Sequence, residues 1–160
     1  MKTFNLRSIM WAIPFLIGSV ALTSCDNDDD DLNDNRTYVI SGNASGSQVV
    51  PAVSGSGQGT VTGTYNSKTN TMNYTSTWTN LSGAPTSAGF YAGNAGASGT
   101  LVGNTWTLGS GLTATGTTTG TIVLTDAQET QLLNNGWYYS YGTATNTGGE
   151  VRGQITTTIQ

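Results

Sequence analysis

Histidine is absent from all 160 residues, and Cys25 is the single cysteine. The first absence removes the commonest general base and the commonest nitrogen ligand for zinc or copper. The second removes any intrachain disulfide. Charge is also scarce: 9% of residues are Asp, Glu, Lys or Arg, against about 25% in soluble domains generally. With five Lys and Arg in the whole chain, no basic stripe exists to neutralise phosphates, which excludes a nucleic-acid partner. Proline occurs only three times. Nucleophilic catalysis needs an activated side chain and a base to activate it, and neither is on offer. No metal ligand set, cofactor site or catalytic residue is predicted, and the expectation is a non-enzymatic protein.

What is present is unevenly placed. Lys2 and Arg7 precede an apolar run from Ile9 to Leu22, shorter than the roughly 20 residues of a membrane-spanning helix. Small residues follow, and residues 1–24 are predicted to be a signal peptide. Leu22-Thr23-Ser24-Cys25 resembles a bacterial lipobox. That resemblance implies cleavage before Cys25 and a lipid (palmitate-type acyl chains) on its thiol and new amino group, since one acyl chain anchors only marginally and two or three anchor stably. The alternative is a buried structural cysteine.

Asp26, Asp28, Asp29, Asp30, Asp31 and Asp34 form an acidic block. Like-charge blocks are usually solvated, self-repelling tethers, and residues 25–36 are predicted to be one. The block also resembles the export signal of surface lipoproteins of the Bacteroidetes. The two resemblances together imply a bacterial envelope protein, lipid-anchored at the outer membrane and exposed at the surface. A calcium loop is disfavoured because Asp31 stands where the sharp turn needs glycine.

Residues 37–160 are nearly neutral, carrying only Lys68, Asp126, Glu129, Glu150 and Arg152. Their pattern has a period near two. Tyr38–Ile40 and Val61–Tyr65 read as strands, and 66–70 as a turn. In the clearest strand Met72, Tyr74, Ser76 and Trp78 share one face, and the odd-numbered residues 71–79 share the other. Further strands are predicted near Phe90–Tyr91, Thr100–Val102, Thr105–Leu108, Thr117–Leu124, Trp137–Thr145 and Val151–Ile159. Thr125-Asp126-Ala127-Gln128 fits a capping box; Asp126 and Glu129 suit the helix dipole, Leu132 and Leu133 can face the core, and Gly136 can end the helix. The predicted architecture is all-β, an antiparallel sandwich or barrel with one short helix.

Four blocks carry a second resemblance. Ser41-Gly42 with Gln48-Val49-Val50-Pro51, Leu81-Ser82-Gly83-Ala84-Pro85-Thr86-Ser87-Ala88, Leu124-Thr125-Asp126-Ala127, and Gly148-Gly149-Glu150-Val151-Arg152-Gly153-Gln154-Ile155 are similar, in that order, to the blocks of the CHRD domain. The resemblance implies an immunoglobulin-like β-sandwich or barrel with a likeness to copper-zinc superoxide dismutase. Members often carry histidines at places corresponding here to Gly89, Phe90, Tyr91 and Gly142, so a degenerate metal-dependent enzyme is one alternative. An accessory subunit of an envelope complex is another.

Among the remaining candidates, Glu150 and Arg152 lie two apart and are expected to share a strand face as an ordinary ion pair. Trp137, Tyr139 and Tyr141 line one face of a strand, where core packing competes with an exposed platform. Tyr91 and Tyr138 are the residues predicted to be exposed and to bind a ligand, either a surface glycan or an envelope protein.

Overall fold

The computed structural model describes residues 35–160; residues 1–24, Cys25 and the acidic block lie outside the described residues. The strands are β1 (Thr37–Ser45), β2 (Gln58–Asn66), β3 (Thr71–Thr79), β4 (Pro85–Ala92), β5 (Thr100–Val102), β6 (Gly116–Val123), β7 (Trp137–Thr143), β8 (Val151–Gln154) and β9 (Thr156–Ile159). One α-helix, α1 (Asp126–Leu133), joins β6 to β7. The fold is all-β. Every strand pairing is antiparallel, and all belong to one sheet in the order β5-β4-β7-β8-β1-β2-β3-β6, with β9 also paired to β1.

The sheet curls so that its two halves face each other over a common core. Ile40, Val61, Met72 and Trp78 come from one half; Phe90, Trp137, Tyr139 and Tyr141 come from the other, each at most 1% exposed. Rings cross the interior, Trp78 to Tyr141 at 5.2 Å and Tyr74 to Phe90 at 4.8 Å between centroids. The Trp137 face is therefore core. Such rings each contribute roughly 1.5–3 kcal/mol through burial.

The alternation predicted for β3 is present: Met72, Ser76 and Trp78 are buried and Tyr74 is half-buried. Ser76 is no defect there, because its hydroxyl donates to Thr60 O at 2.9 Å and accepts from Tyr141 Oη at 2.8 Å, which is what a buried hydroxyl requires. The partner strand β6 places Gly120 opposite Tyr74 and Gly116 opposite Trp78. A Cβ at either glycine would come closer than 3.0 Å to the facing side chain. The two rings lie across β6 in the space these glycines leave.

The helix begins as its sequence predicts: Thr125 Oγ1 accepts from Gln128 N, and Gln128 Oε1 accepts from Thr125 N at 2.9 Å. It ends one residue earlier than expected. Asn135 takes the left-handed conformation (φ 55°), and Asn135 and Gly136 donate back to Leu132 O and Gln131 O, a Schellman end.

Two expectations fail. Residues 151–159 form two strands, because the chain breaks at buried Ile155, whose N–H turns to Trp137 O at 2.9 Å. Thr105–Leu108 is not a strand. It belongs to the long connection from β5 to β6, which docks through Trp106 N–H to Ala88 O at 2.8 Å and through Thr113 O to the Trp78 indole at 3.0 Å.

Candidate functional site

Glu150 and Arg152 do not form the expected ion pair. Glu150 precedes β8 and follows Gly149 at φ +127°, so the two-residue alternation of a strand does not reach it. The residue is 5% exposed, and its carboxylate is held by uncharged donors: Ser82 N at 2.6 Å, Ser82 Oγ at 2.5 Å, Thr143 Oγ1 at 2.6 Å and Asn146 Nδ2 at 3.4 Å. Burial pushes its pKa up, but the hydrogen bonds from Ser82, Thr143 and Asn146 outweigh burial and hold it below the ordinary value. This cluster ties the β3–β4 connection to the last turn, and every donor is spent on that task.

Arg152 faces the segment between β4 and β5. Its Nη1 and Nη2 donate to Ala97 O and Asn94 O, each at 2.7 Å, and its guanidinium lies 3.6 Å from the centroid of Tyr138. Tyr91 stacks on Tyr138 at 5.1 Å and 12°. The Tyr138 hydroxyl accepts from Gly99 N at 3.1 Å. The prediction that Tyr138 is exposed is thus corrected: it is 7% exposed, covered by Arg152, Tyr91 and the 94–99 loop. Tyr91 is half-buried, and its hydroxyl pKa is raised by burial and by Tyr138. A hollow of about 210 Å³ adjoins this stack. The structure brings the two predicted tyrosines together, as a brace for a loop. Cys25, the predicted lipid attachment site, is outside the described residues.

The places where the resemblance implied histidines hold no ligand. Phe90 is packed against Trp106 and Tyr74, Tyr91 is in the stack just described, and Gly89 and Gly142 carry no side chain. Copper and zinc need nitrogen or sulfur donors, and these residues supply none. Among the described residues no three His, Cys, Asp or Glu side chains gather as a metal site. The donor set does not fit a dismutase-type metal.

Sequence reasoning also missed Glu129. Read as a helix-start charge, it is 4% exposed, with Oε1 buried and lacking a hydrogen-bond partner. The Tyr65 hydroxyl, which donates to Asn70 Oδ1 at 3.2 Å, is pushed well above its usual range by burial and then by the nearby Glu129 carboxylate. The signal available was Tyr65 at the β2 end, which the helix must cover.

A second missed feature is the seam where the curled sheet does not close. Among the described residues β6 pairs only with β3, along one edge. Across its other edge runs the 103–107 segment, and between them opens a cleft of about 440 Å³. Tyr74, Phe90 and Trp106 form its floor, with ring centroids 4.8 to 4.9 Å apart. Asn104, Thr105, Thr107, Thr119 and Gln128 form its rim, as does Thr121, whose hydroxyl donates to Asn73 Oδ1 at 2.7 Å. Among the described residues Tyr74 is the only titratable side chain on its walls, and burial raises its pKa, so it stays a neutral phenol. The Trp106 indole N–H is buried without an acceptor.

No curated protein and no solved structure matches the chain. The family comparison does match, over residues 40–155. That span begins at Ile40 in β1 and ends at Ile155 beside Trp137, both fully buried. It takes in the Glu150 cluster, the Arg152 stack and the seam, so that the sheet and everything built on it fall within one family unit: the chain belongs to the CHRD domain family.

Proposed function

We propose that this protein is a lipid-anchored envelope lipoprotein whose CHRD domain is a non-catalytic binding module. The observation that carries the binding role is the open seam: a cleft of about 440 Å³ with an aromatic floor and a rim of uncharged hydroxyls and amides. Such walls can hold and orient a ligand, but they offer no base, nucleophile or acid to transform it. The domain's charged groups near other surfaces are committed elsewhere, Glu150 to Ser82 and Thr143, Arg152 to loop carbonyls. The anchoring role rests on Leu22-Thr23-Ser24-Cys25 after an apolar segment.

Two measurements test this reading. Cells grown with labelled palmitate are expected to label the wild-type chain and not Cys25→Ser, which leaves the lipid-anchored form. Label on the variant, or none on the wild type, removes the anchor. The thermal midpoint of the full chain is expected to rise saturably with a solubilised polysaccharide or protein fraction of its own envelope, since ligands of the native state raise stability. If no fraction moves it, the binding module is lost as a reading.

A further inference from the structure

We propose that the seam between β6 and the 103–107 segment binds an uncharged oligosaccharide. This rests on the binding-module reading and adds the place and the ligand class. Three properties of the walls converge on that class.

The first is charge. Among the described residues no Lys, Arg, Asp or Glu lines the cleft, so an anionic or cationic ligand would lose its hydration without a counter-charge. The second is the mixture of surfaces. Tyr74 is half-buried and presents the accessible part of the floor, while Phe90 at 1% and Trp106 at 9% exposure hold it in place. The apolar face of a sugar ring fits an aromatic surface of this kind. The third is the rim. Threonine hydroxyls both donate and accept, and an asparagine amide does each with a different atom, which matches sugar hydroxyls. A wholly apolar ligand would cover the Asn104 amide without giving it a partner, a cost that a hydroxylated one avoids. The volume lies within the range of about 300–1,000 Å³ usual for small-ligand sites. The β6 edge adds backbone groups that β3 does not use, and a narrow carbohydrate can take up those bonds as water does.

The Trp106 indole supplies a local reporter. Its N–H has no acceptor among the described residues, whereas that of Trp78 is fixed to Thr113 O at 3.0 Å. The test is a nitrogen-15 NMR titration of the full chain in dodecyldimethylamine-oxide micelles, which carry no sugar. The probes are cellotetraose, xylotetraose, mannotetraose and maltotetraose. Tetragalacturonate serves as an anionic comparison, and an acetylated threonine-valine peptide as a strand-like one. At least one neutral tetrasaccharide is expected to move the Trp106 indole and the Thr119 and Thr121 amide signals saturably, leaving the Trp78 indole in place. Tyr74→Leu is expected to weaken that binding about fivefold, the loss of one aromatic contact, while Tyr74→Phe keeps it. Should Tyr74→Leu lose its folded spectrum, Asn104→Ala carries the test, with a weakening of about threefold for one neutral hydrogen bond. The proposal is overturned if no neutral tetrasaccharide moves these signals, or if only the peptide or tetragalacturonate does. A sugar that moves signals around Tyr91 and Tyr138 instead also overturns this site, while leaving the binding module intact. Failure of that broader reading shows separately, as thermal midpoints that no envelope fraction raises.

Discussion

At Glu150 a negative charge is stabilised without any positive one. Ser82 gives a backbone N–H and a hydroxyl, and Thr143 gives a second hydroxyl. Hydrogen bonds to a charged group are worth about 1.5–3 kcal/mol, and a buried donor left unmatched costs a similar amount. Glu150→Gln brings an NH2 group against these donors and is expected to lower unfolding stability by about 2 kcal/mol at neutral pH. The pH dependence follows from the lowered folded pKa. The unfolded chain takes up this proton near the ordinary carboxylate value of 4.5, before the folded chain does. The stabilisation is therefore complete above that value and is lost as pH falls through the folded pKa. Urea unfolding between neutral and acidic pH is expected to give a shallower decline for Glu150→Gln than for wild type; parallel declines would mean that the carboxylate is not held as described. The same residue marks a limit of sequence reading. Its spacing from Arg152 suggested a shared face, but Gly149 at φ +127° re-aims the chain between them, and nothing in the spacing reveals that. Tyr138 is similar. Its place on the face opposite Trp137 was legible, yet its cover comes from Arg152 and a loop residue, Gly99, contacts that periodicity does not encode.

Among the elements, β3 and α1 were legible because each announces itself locally. Alternation at Met72, Ser76 and Trp78 and the Thr125–Gln128 box are short-range signals, and the structure contains both. The segment around Trp106 was misread as a strand because an alternating Thr-Trp-Thr-Leu looks the same whether or not a neighbouring strand exists to pair with it. Whether one exists is decided by the curl of the sheet, which leaves a seam there. The β3–β6 pair shows why the seam has its shape. Tyr74 lies over Gly120, where no Cβ intrudes. At an unhindered site, Gly→Ala stabilises by about 0.4–1 kcal/mol through the unfolded chain. Gly120→Ala is expected to reverse that sign and destabilise by about 1–3 kcal/mol, the cost of overpacking, because the new methyl meets the Tyr74 phenol closer than 3.0 Å. Thr117→Val on the exposed face of the same strand should stay within about 0.5 kcal/mol. Denaturant titration of both variants decides the matter, and a stabilised Gly120→Ala would show that Tyr74 does not rest on β6.

For the molecule as a whole, the scarcity of charge becomes a statement about what holds it together. The folded region has five ionisable residues of the Asp, Glu, Lys and Arg type from position 37 onward, and Glu129, Glu150 and Arg152 are buried. Two of these are fixed by neutral partners, hydroxyls and backbone carbonyls, and Lys68 and Asp126 remain at the surface. Cohesion comes from the aromatic core and the threonine-rich ladders, neither of which depends on ion pairs. Salt screens exposed charges over a Debye length of about 10 Å at 0.1 M and about 3 Å at 1 M, and affects buried groups much less. Exposed pairs are worth about 0.2–1 kcal/mol where they exist. Raising sodium chloride from about 0.1 M to about 1 M should therefore change the unfolding free energy by less than about 0.5 kcal/mol. The acidic block at Asp26–Asp34 provides the internal contrast, since self-repulsion within it does respond to screening. Removing that block should leave the salt response of the folded region unchanged. A salt-dependent loss of several kcal/mol in the folded region would instead require a surface ionic network, and from position 37 onward the exposed charged residues are Lys68 and Asp126.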